Sequence, residues 1–276
     1  VSDGGWAQIE NRIVGIGIDG GDYFGWSVAI SGTKDDALAI VGAIFADGSG
    51  NNSGAAYLFD ISAGDWAQIG NKIVGNNTSG GDRFGASVAI SGTKDNALAI
   101  VGAYLADPSG NNSGAAYLFV VSDGGWAQIE NRIVGIGIDG GDYFGWSVAI
   151  SGTKDDALAI VGAIFADGSG NNSGAAYLFD ISAGDWAQIG NKIVGNNTNG
   201  SDRFGASVAI SGTKNDALAI VGAIFADPSG NDSGAAYLFD VSDGGWAQKG
   251  NTILGNDTNL DDQFGYSVAM SGTGND

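Results

Sequence analysis

The sequence predicts an all-β fold, a β-propeller of four-stranded antiparallel blades with about sixty residues per blade. Three observations predict it. Trp6, Trp66, Trp126, Trp186 and Trp246 recur at one fixed step, each opening the tripeptide Trp-Ala-Gln, and Phe24-Gly25, Phe84-Gly85, Phe144-Gly145, Phe204-Gly205 and Phe264-Gly265 keep the same step. Within each unit the apolar residues alternate or run together in short stretches, with no helical period. Clusters of Gly, Asn, Asp and Ser, the residues that turns require, separate these stretches.

Residues 20–79 serve as the unit. Phe24 to Ile30 sets Phe24, Trp26, Val28 and Ile30 against Gly25, Ser27 and Ala29, a strand with one bulky and one thin face. The thin face lets another backbone approach closely, as the crowded inner strand of a blade requires. Ser31 to Asp36 is a turn. Ala37 to Phe45 is apolar on both faces, the pattern of a strand buried on both sides. Asp47 to Gly54 is a loop by composition. Ala55 to Ile61 forms the third strand, with Tyr57, Phe59 and Ile61 on one face. After a turn at Ala63 to Asp65, Trp66 to Val74 is the fourth and most polar strand, the expected outer edge. One such sheet cannot bury two apolar faces, whereas sheets stacked around an axis can. A solenoid or β-helix is the second architecture considered, but its coils are usually shorter.

A chain of 276 residues suits one large all-β domain or two smaller ones. The repeat decides for a single tandem array over 1–276, with units 20–79, 80–139, 140–199 and 200–259 and partial strands at 1–19 and 260–276. Residues 1–120 and 121–240 differ only at Ser79/Asn199, Gly81/Ser201, Asp95/Asn215, Asn96/Asp216, Tyr104/Ile224, Leu105/Phe225, Asn112/Asp232 and Val120/Asp240. The chain opens on a fourth-strand sequence and closes after a first-strand sequence. A blade completed from both ends would lack its second and third strands, so the expectation is a segment of a longer array. An open sheet edge there would be a template for another chain.

The formal charge is −20, from 31 acidic and 11 basic residues. Such a surface repels the phosphates of nucleic acid and of anionic lipid. Histidine and cysteine are both absent, which excludes disulfides, zinc sites of the Cys/His kind, and Ser-His-Asp or Cys-His nucleophilic machinery. No apolar run is long enough to span a membrane as a helix.

Phe-Gly-x-Ser-Val-Ala, then Val-Gly-Ala, then Ser-Gly-Ala-Ala-Tyr-Leu-Phe resembles the FG-GAP repeat of integrin α-subunit propellers and of many secreted or surface proteins. Phe24-Gly25 and Val41-Gly42-Ala43 carry the resemblance in the first full unit, and Val101-Gly102-Ala103, Val161-Gly162-Ala163 and Val221-Gly222-Ala223 in the next three. It implies a propeller, commonly seven-bladed, in an extracellular or cell-surface protein that adheres or recognises, and it brings no catalytic residues. Many members of that family hold calcium in an Asp-x-Asp-x-Asp-Gly loop between the first and second strands. Here that loop is only Ser31 to Asp36, with Lys34 inside it, so that site is expected to be missing.

The Asp47 loop spaces oxygen-bearing side chains at Asp47, Ser49, Asn51 and Ser53, and the pattern returns at Asp107, Ser109 and Asn111, at Asp167, Ser169 and Asn171, and at Asp227, Ser229 and Asn231. Calcium is the candidate ligand, because a hard cation takes six to eight oxygens; an ordinary turn is the other reading. Asp22, Asp82, Asp142, Asp202 and Asp262 precede each Phe-Gly by two residues and read as acceptors of backbone N–H groups at strand entry, with metal ligation as the alternative. The tryptophans at 6, 66, 126, 186 and 246 are candidates for stacking on sugars, or for wedging between neighbouring blades. Asn51, Asn76, Asn111, Asn171, Asn196, Asn231 and Asn256 begin glycosylation sequons.

The leading functional reading is an extracellular adhesion or structural-recognition module, one part of a repetitive surface or filament assembly. Its partners would be a protein or glycan at a surface, or further repeats by self-association; nucleic acid and membrane insertion are not expected. A carbohydrate-binding, lectin-like propeller is the alternative. An enzyme is not expected, since every acidic constellation is repeated rather than unique to one pocket.

Overall fold

A computed structural model of the chain describes residues 12–62, 66–122, 125–182, 186–242 and 244–272. They form four antiparallel four-stranded sheets, each with its strands in sequence order. The first holds β1 (Phe24–Ser31), β2 (Leu38–Ala43), β3 (Ala55–Asp60) and β4 (Ala67–Gln68). The second holds β5 (Ser87–Ser91), β6 (Leu98–Ala103), β7 (Ala115–Ser122) and β8 (Gly125–Ile133). The third holds β9 (Phe144–Ser151), β10 (Leu158–Ala163), β11 (Ala175–Asp180) and β12 (Ala187–Gln188), and the fourth β13 (Phe204–Ser211), β14 (Leu218–Ala223), β15 (Ala235–Asp240) and β16 (Ala247–Gln248). These are propeller blades, and no α-helix occurs among the described residues.

The apolar alternation read from the sequence is what joins blades. The trailing face of the first, with Leu38, Ile40, Leu58 and Ile73, packs on Phe84, Val88, Ile90, Tyr117 and Phe119 of the second. The same set recurs at the next two junctions. Phe84 stands edge-on to Tyr117 with ring centroids 5.3 Å apart. Each fully buried aromatic of this kind contributes about 1.5–3 kcal/mol of transfer free energy. Backbone bonds add to the junction: Phe84 N–H donates to the Ser53 carbonyl at 2.8 Å, and Ser27 Oγ donates to the Gly85 carbonyl at 2.8 Å.

Two strand readings need correction. The face assigned to Phe24, Trp26, Val28 and Ile30 is not one face. β1 pairs Phe24 with Ala43 and then Ser27 with Gly42, so Gly25 and Trp26 form a bulge. Gly25 has a φ of 91°, and Trp26 N–H closes a turn onto the Tyr23 carbonyl. The bulge turns the tryptophan out of the core. In the third blade Phe144 is 0% exposed while Trp146 is 38% exposed.

The fourth strand is also shorter than its sequence. In three blades it pairs only at the Ala-Gln step and again at a single bridge, such as Ala56 to Ile73. Gly70 between them has a φ of 66°, and this left-handed residue breaks the ladder. In the second blade β8 runs through a register shift instead, with Glu130 taking the left-handed conformation.

The outer faces of the first and last blades differ from those inside. Val28 and Ile30 are 68% and 69% exposed, whereas their counterparts Val148 and Ile150 are each 8% exposed. At the other end Leu218, Ile220 and Leu238 are half-buried, and Ile253 is exposed. Residues 264–268 cover part of that face, and Phe264 N–H reaches the Ser233 carbonyl at 2.9 Å, as at the internal junctions.

Candidate functional site

The Asp47 loop spends its oxygens on its own backbone. Asp47 Oδ1 accepts the Asn52 N–H at 2.8 Å, and Ser53 Oγ, fully buried, accepts the Ser49 N–H at 2.8 Å. Ser49 Oγ shares a hydrogen bond with Thr78 Oγ1, and the Asn51 carbonyl takes the Gly81 N–H. Asp107, Asp167 and Asp227 likewise accept from the residue five positions on. Ser109, Ser169 and Ser229 repeat the role of Ser49 towards a buried serine. Asn111, Asn171 and Asn231 stand exposed at the loop tips. Among the described residues no three acidic, histidine or cysteine side chains gather as metal ligands do. In the Ser31 to Asp36 turn, the Thr33 N–H and hydroxyl both donate to Asp36 Oδ1.

The aspartates ahead of each Phe-Gly accept a backbone N–H three residues upstream: Asp82 from Ser79 at 2.7 Å, Asp142 from Asp139 at 2.9 Å, Asp202 from Asn199 at 2.8 Å. Asp22 and Asp262 do the same with Asp19 and Asn259. Burial raises Asp82 and Asp142 above the usual carboxylate range. Asp202, 3% exposed, is pushed up to about 6 by burial, opposed by the Asn199 N–H and reinforced by Asp227 and Asp232.

The Trp-Ala-Gln tripeptide is a clamp on the preceding blade. Trp126 Nε1 donates to the Asn71 carbonyl at 3.1 Å, and Gln128 Oε1 accepts the Asn76 N–H at 2.7 Å. Trp246 and Gln248 hold Asn191 and Asn196 in the same way. Trp126, Trp186 and Trp246 meet Phe119, Phe179 and Phe239 edge-on. Trp66 is partly exposed with a φ of 45°; Trp6 lies outside the described residues. Asn51, Asn76, Asn111, Asn171, Asn196, Asn231 and Asn256 are all exposed.

A different aromatic set reaches the surface, with Trp146 exposed and Tyr143, Tyr104 and Phe165 half-buried. Tyr143 and Trp146 lie nearly parallel, 17° between planes and 6.5 Å between centroids. Tyr104 of the second blade packs edge-on against Trp146 at 5.0 Å, and Phe165 against Tyr143 at 4.8 Å. The Arg203 guanidinium lies 3.7 Å from the Phe165 ring centre. Beside the rings is a cleft of about 430 Å³ lined by Asn111, Asn112, Gly140, Gly141, Tyr143 and Phe165. The first blade repeats the arrangement with Tyr23, Trp26 and Phe45, and with Arg83 over Phe45. The alternation put Trp26 on one face with Phe24, because alternation cannot reveal a bulge. The signal was there: the alternate units carry Ala86 and Ala206, so the fold does not need a large side chain at that position.

Repeated four-stranded blades joined by one recurring interface define a propeller scaffold. The chain belongs to the FG-GAP repeat family, with residues 7–59, 66–119, 127–179 and 186–239 each matching the repeat. No curated protein matches the chain. Among solved structures it is similar to a point mutant of Aleuria aurantia lectin in complex with alpha-methyl-L-fucoside, at 8% identity and a TM-score of 0.48. That similarity covers 84% of this chain and 64% of the lectin, so the chain spans less than two thirds of the lectin's length.

Proposed function

We propose that this chain is an extracellular adhesion or structural-recognition module that works as part of a repetitive surface or filament assembly. The observation that carries the reading is the junction that recurs from blade to blade with the same residues: Leu38, Ile40 and Leu58 against Val88 and Ile90, then Leu98, Ile100 and Leu118 against Val148 and Ile150, then Leu158, Ile160 and Leu178 against Val208 and Ile210. An interface that repeats by one fixed operation extends until something closes it. Membership of a family typical of extracellular proteins and an acidic surface of net charge −20 agree with this reading.

The test is surface labelling of intact source cells with an antibody to the chain, combined with imaging of the native particle. Labelling without permeabilisation, and particles with more blades than this chain supplies, are expected. A chain confined to the cell interior would overturn the reading.

A further inference from the structure

Resting on the reading as a recognition module, we propose that the ledge formed by Tyr143 and Trp146, with its adjoining cleft, binds the pyranose ring of a neutral glycan, and that Tyr23 and Trp26 form a second site of the same kind.

The blade junctions do not require these rings. Blades two and four fold on the same junctions with Ala86 and Ala206 at the tryptophan position and Arg83 and Arg203 at the tyrosine position. The tryptophan remains 38% exposed in the third blade and 57% exposed in the first. Exposed aromatic faces lose little conformational entropy on contact and suit a partner with an apolar face and a polar rim. A pyranose has that character, with C–H groups on its faces and hydroxyls around its edge.

The cleft supplies the rest. Gly140 and Gly141 line it without side chains, leaving room for a ring. The amides of Asn111 and Asn112 both donate and accept, as a hydroxyl does. Its volume of about 430 Å³ lies within the range of small-molecule sites.

Charge selects the class of sugar. The Arg203 guanidinium is held against the ring of Phe165, while Asp139 directly precedes Gly140 in the wall and the whole chain carries −20. A sulfated or sialylated glycan would be repelled; a neutral one is not. Two sites on one scaffold raise affinity for a polymer far above that for a monosaccharide, provided both can engage together.

The experiment is titration of the full chain, followed by tryptophan fluorescence and calorimetry, with cellohexaose, mannohexaose, xylohexaose and a galactan oligosaccharide, and with a sulfated hexasaccharide for comparison. At least one neutral oligosaccharide is expected to bind, and the sulfated one at least tenfold more weakly. Trp146→Ala, checked for an unchanged thermal midpoint, is expected to weaken binding at least fivefold, Trp146→Phe to restore part of it, and Trp26→Ala with Trp146→Ala to abolish it. No binding across the neutral series, or binding unchanged in the double variant, overturns the proposal. Surface labelling without sugar binding rejects the ledge alone; sugar binding by a chain that stays inside the cell rejects only the extracellular reading.

Discussion

The carbonyl oxygen of Gly85 lies 2.0 Å from where a β-carbon on Gly42 would stand. These are the glycines of two motifs, Phe84-Gly85 in one blade and Val41-Gly42-Ala43 in the blade before it. They meet because neighbouring inner strands approach backbone to backbone, and the same Gly85 oxygen accepts the Ser27 hydroxyl. The recurrence of Phe-Gly and Val-Gly-Ala is therefore one requirement seen from two sides.

Gly102→Ala tests this at a central junction, where the Gly145 oxygen is 2.1 Å from the added carbon. Backbone cannot give way as a flexible side chain does. The variant is expected to lose at least about 1–3 kcal/mol of stability, read as a lower denaturant midpoint.

Ile150→Lys and Ile30→Lys should part company. The first places an ammonium at a position 8% exposed and is expected to unfold the chain or cost more than about 3 kcal/mol. The second, at a position 69% exposed, is expected to change stability by less than about 0.5 kcal/mol. Thermal melts of the two variants check it.

Asp202 makes stability depend on pH. Its carboxyl is pushed up to about 6 in the folded chain from an ordinary 3.8, so the folded state holds a proton that the unfolded state has released. The stability that this group contributes is greatest below the ordinary value, falls as pH rises from about 4 to about 6, and is flat above that. Asp202→Asn keeps an acceptor for the Asn199 N–H. It is expected to reduce the slope in that window, to which the raised Asp82 and Asp142 also contribute, and, after allowance for solvent screening, to raise stability at pH 7 by about 1 kcal/mol. Denaturation curves across that window decide it.

One blade lacks an ion pair that its neighbours have. Lys94 pairs with Asp60, and Lys214 with Asp180, but at the junction between them Lys154 faces a blade carrying Val120 in place of that aspartate. V120D is expected to gain no more than about 0.2–1 kcal/mol from the new pair. A cycle with K154M isolates that gain from the loss of a β-branched residue in β7.

Removing the outer clamp should loosen the blade edge without unfolding the junction. Gln128→Ala leaves the Asn76 N–H without its acceptor, and a lost bond of this kind costs about 0.5–1.5 kcal/mol. Faster hydrogen exchange at Asn76, with little change at the buried Leu118 in β7, is the expected result.

The blades were legible in the sequence because their causes are local and repeated. Period-two alternation gives strands, Gly/Asn/Asp/Ser clusters give turns, and one fixed step gives the unit. That Asp82 and Asp202 accept backbone N–H groups was legible for the same reason, since the bonds they make lie three residues away. The solvent ledge was not. Trp146 and Phe144 differ by two positions and read as one face, and only the bulge at Gly145, φ 87°, separates a buried ring from an exposed one. Nor could the sequence place Tyr104 against Trp146, since that contact joins two blades. By itself the sequence determined what each blade is and that blades must stack, because every unit carries two apolar faces and one sheet cannot hide both. The tertiary structure alone decided which side of each junction every ring occupies, and so which aromatics remain free to meet a ligand.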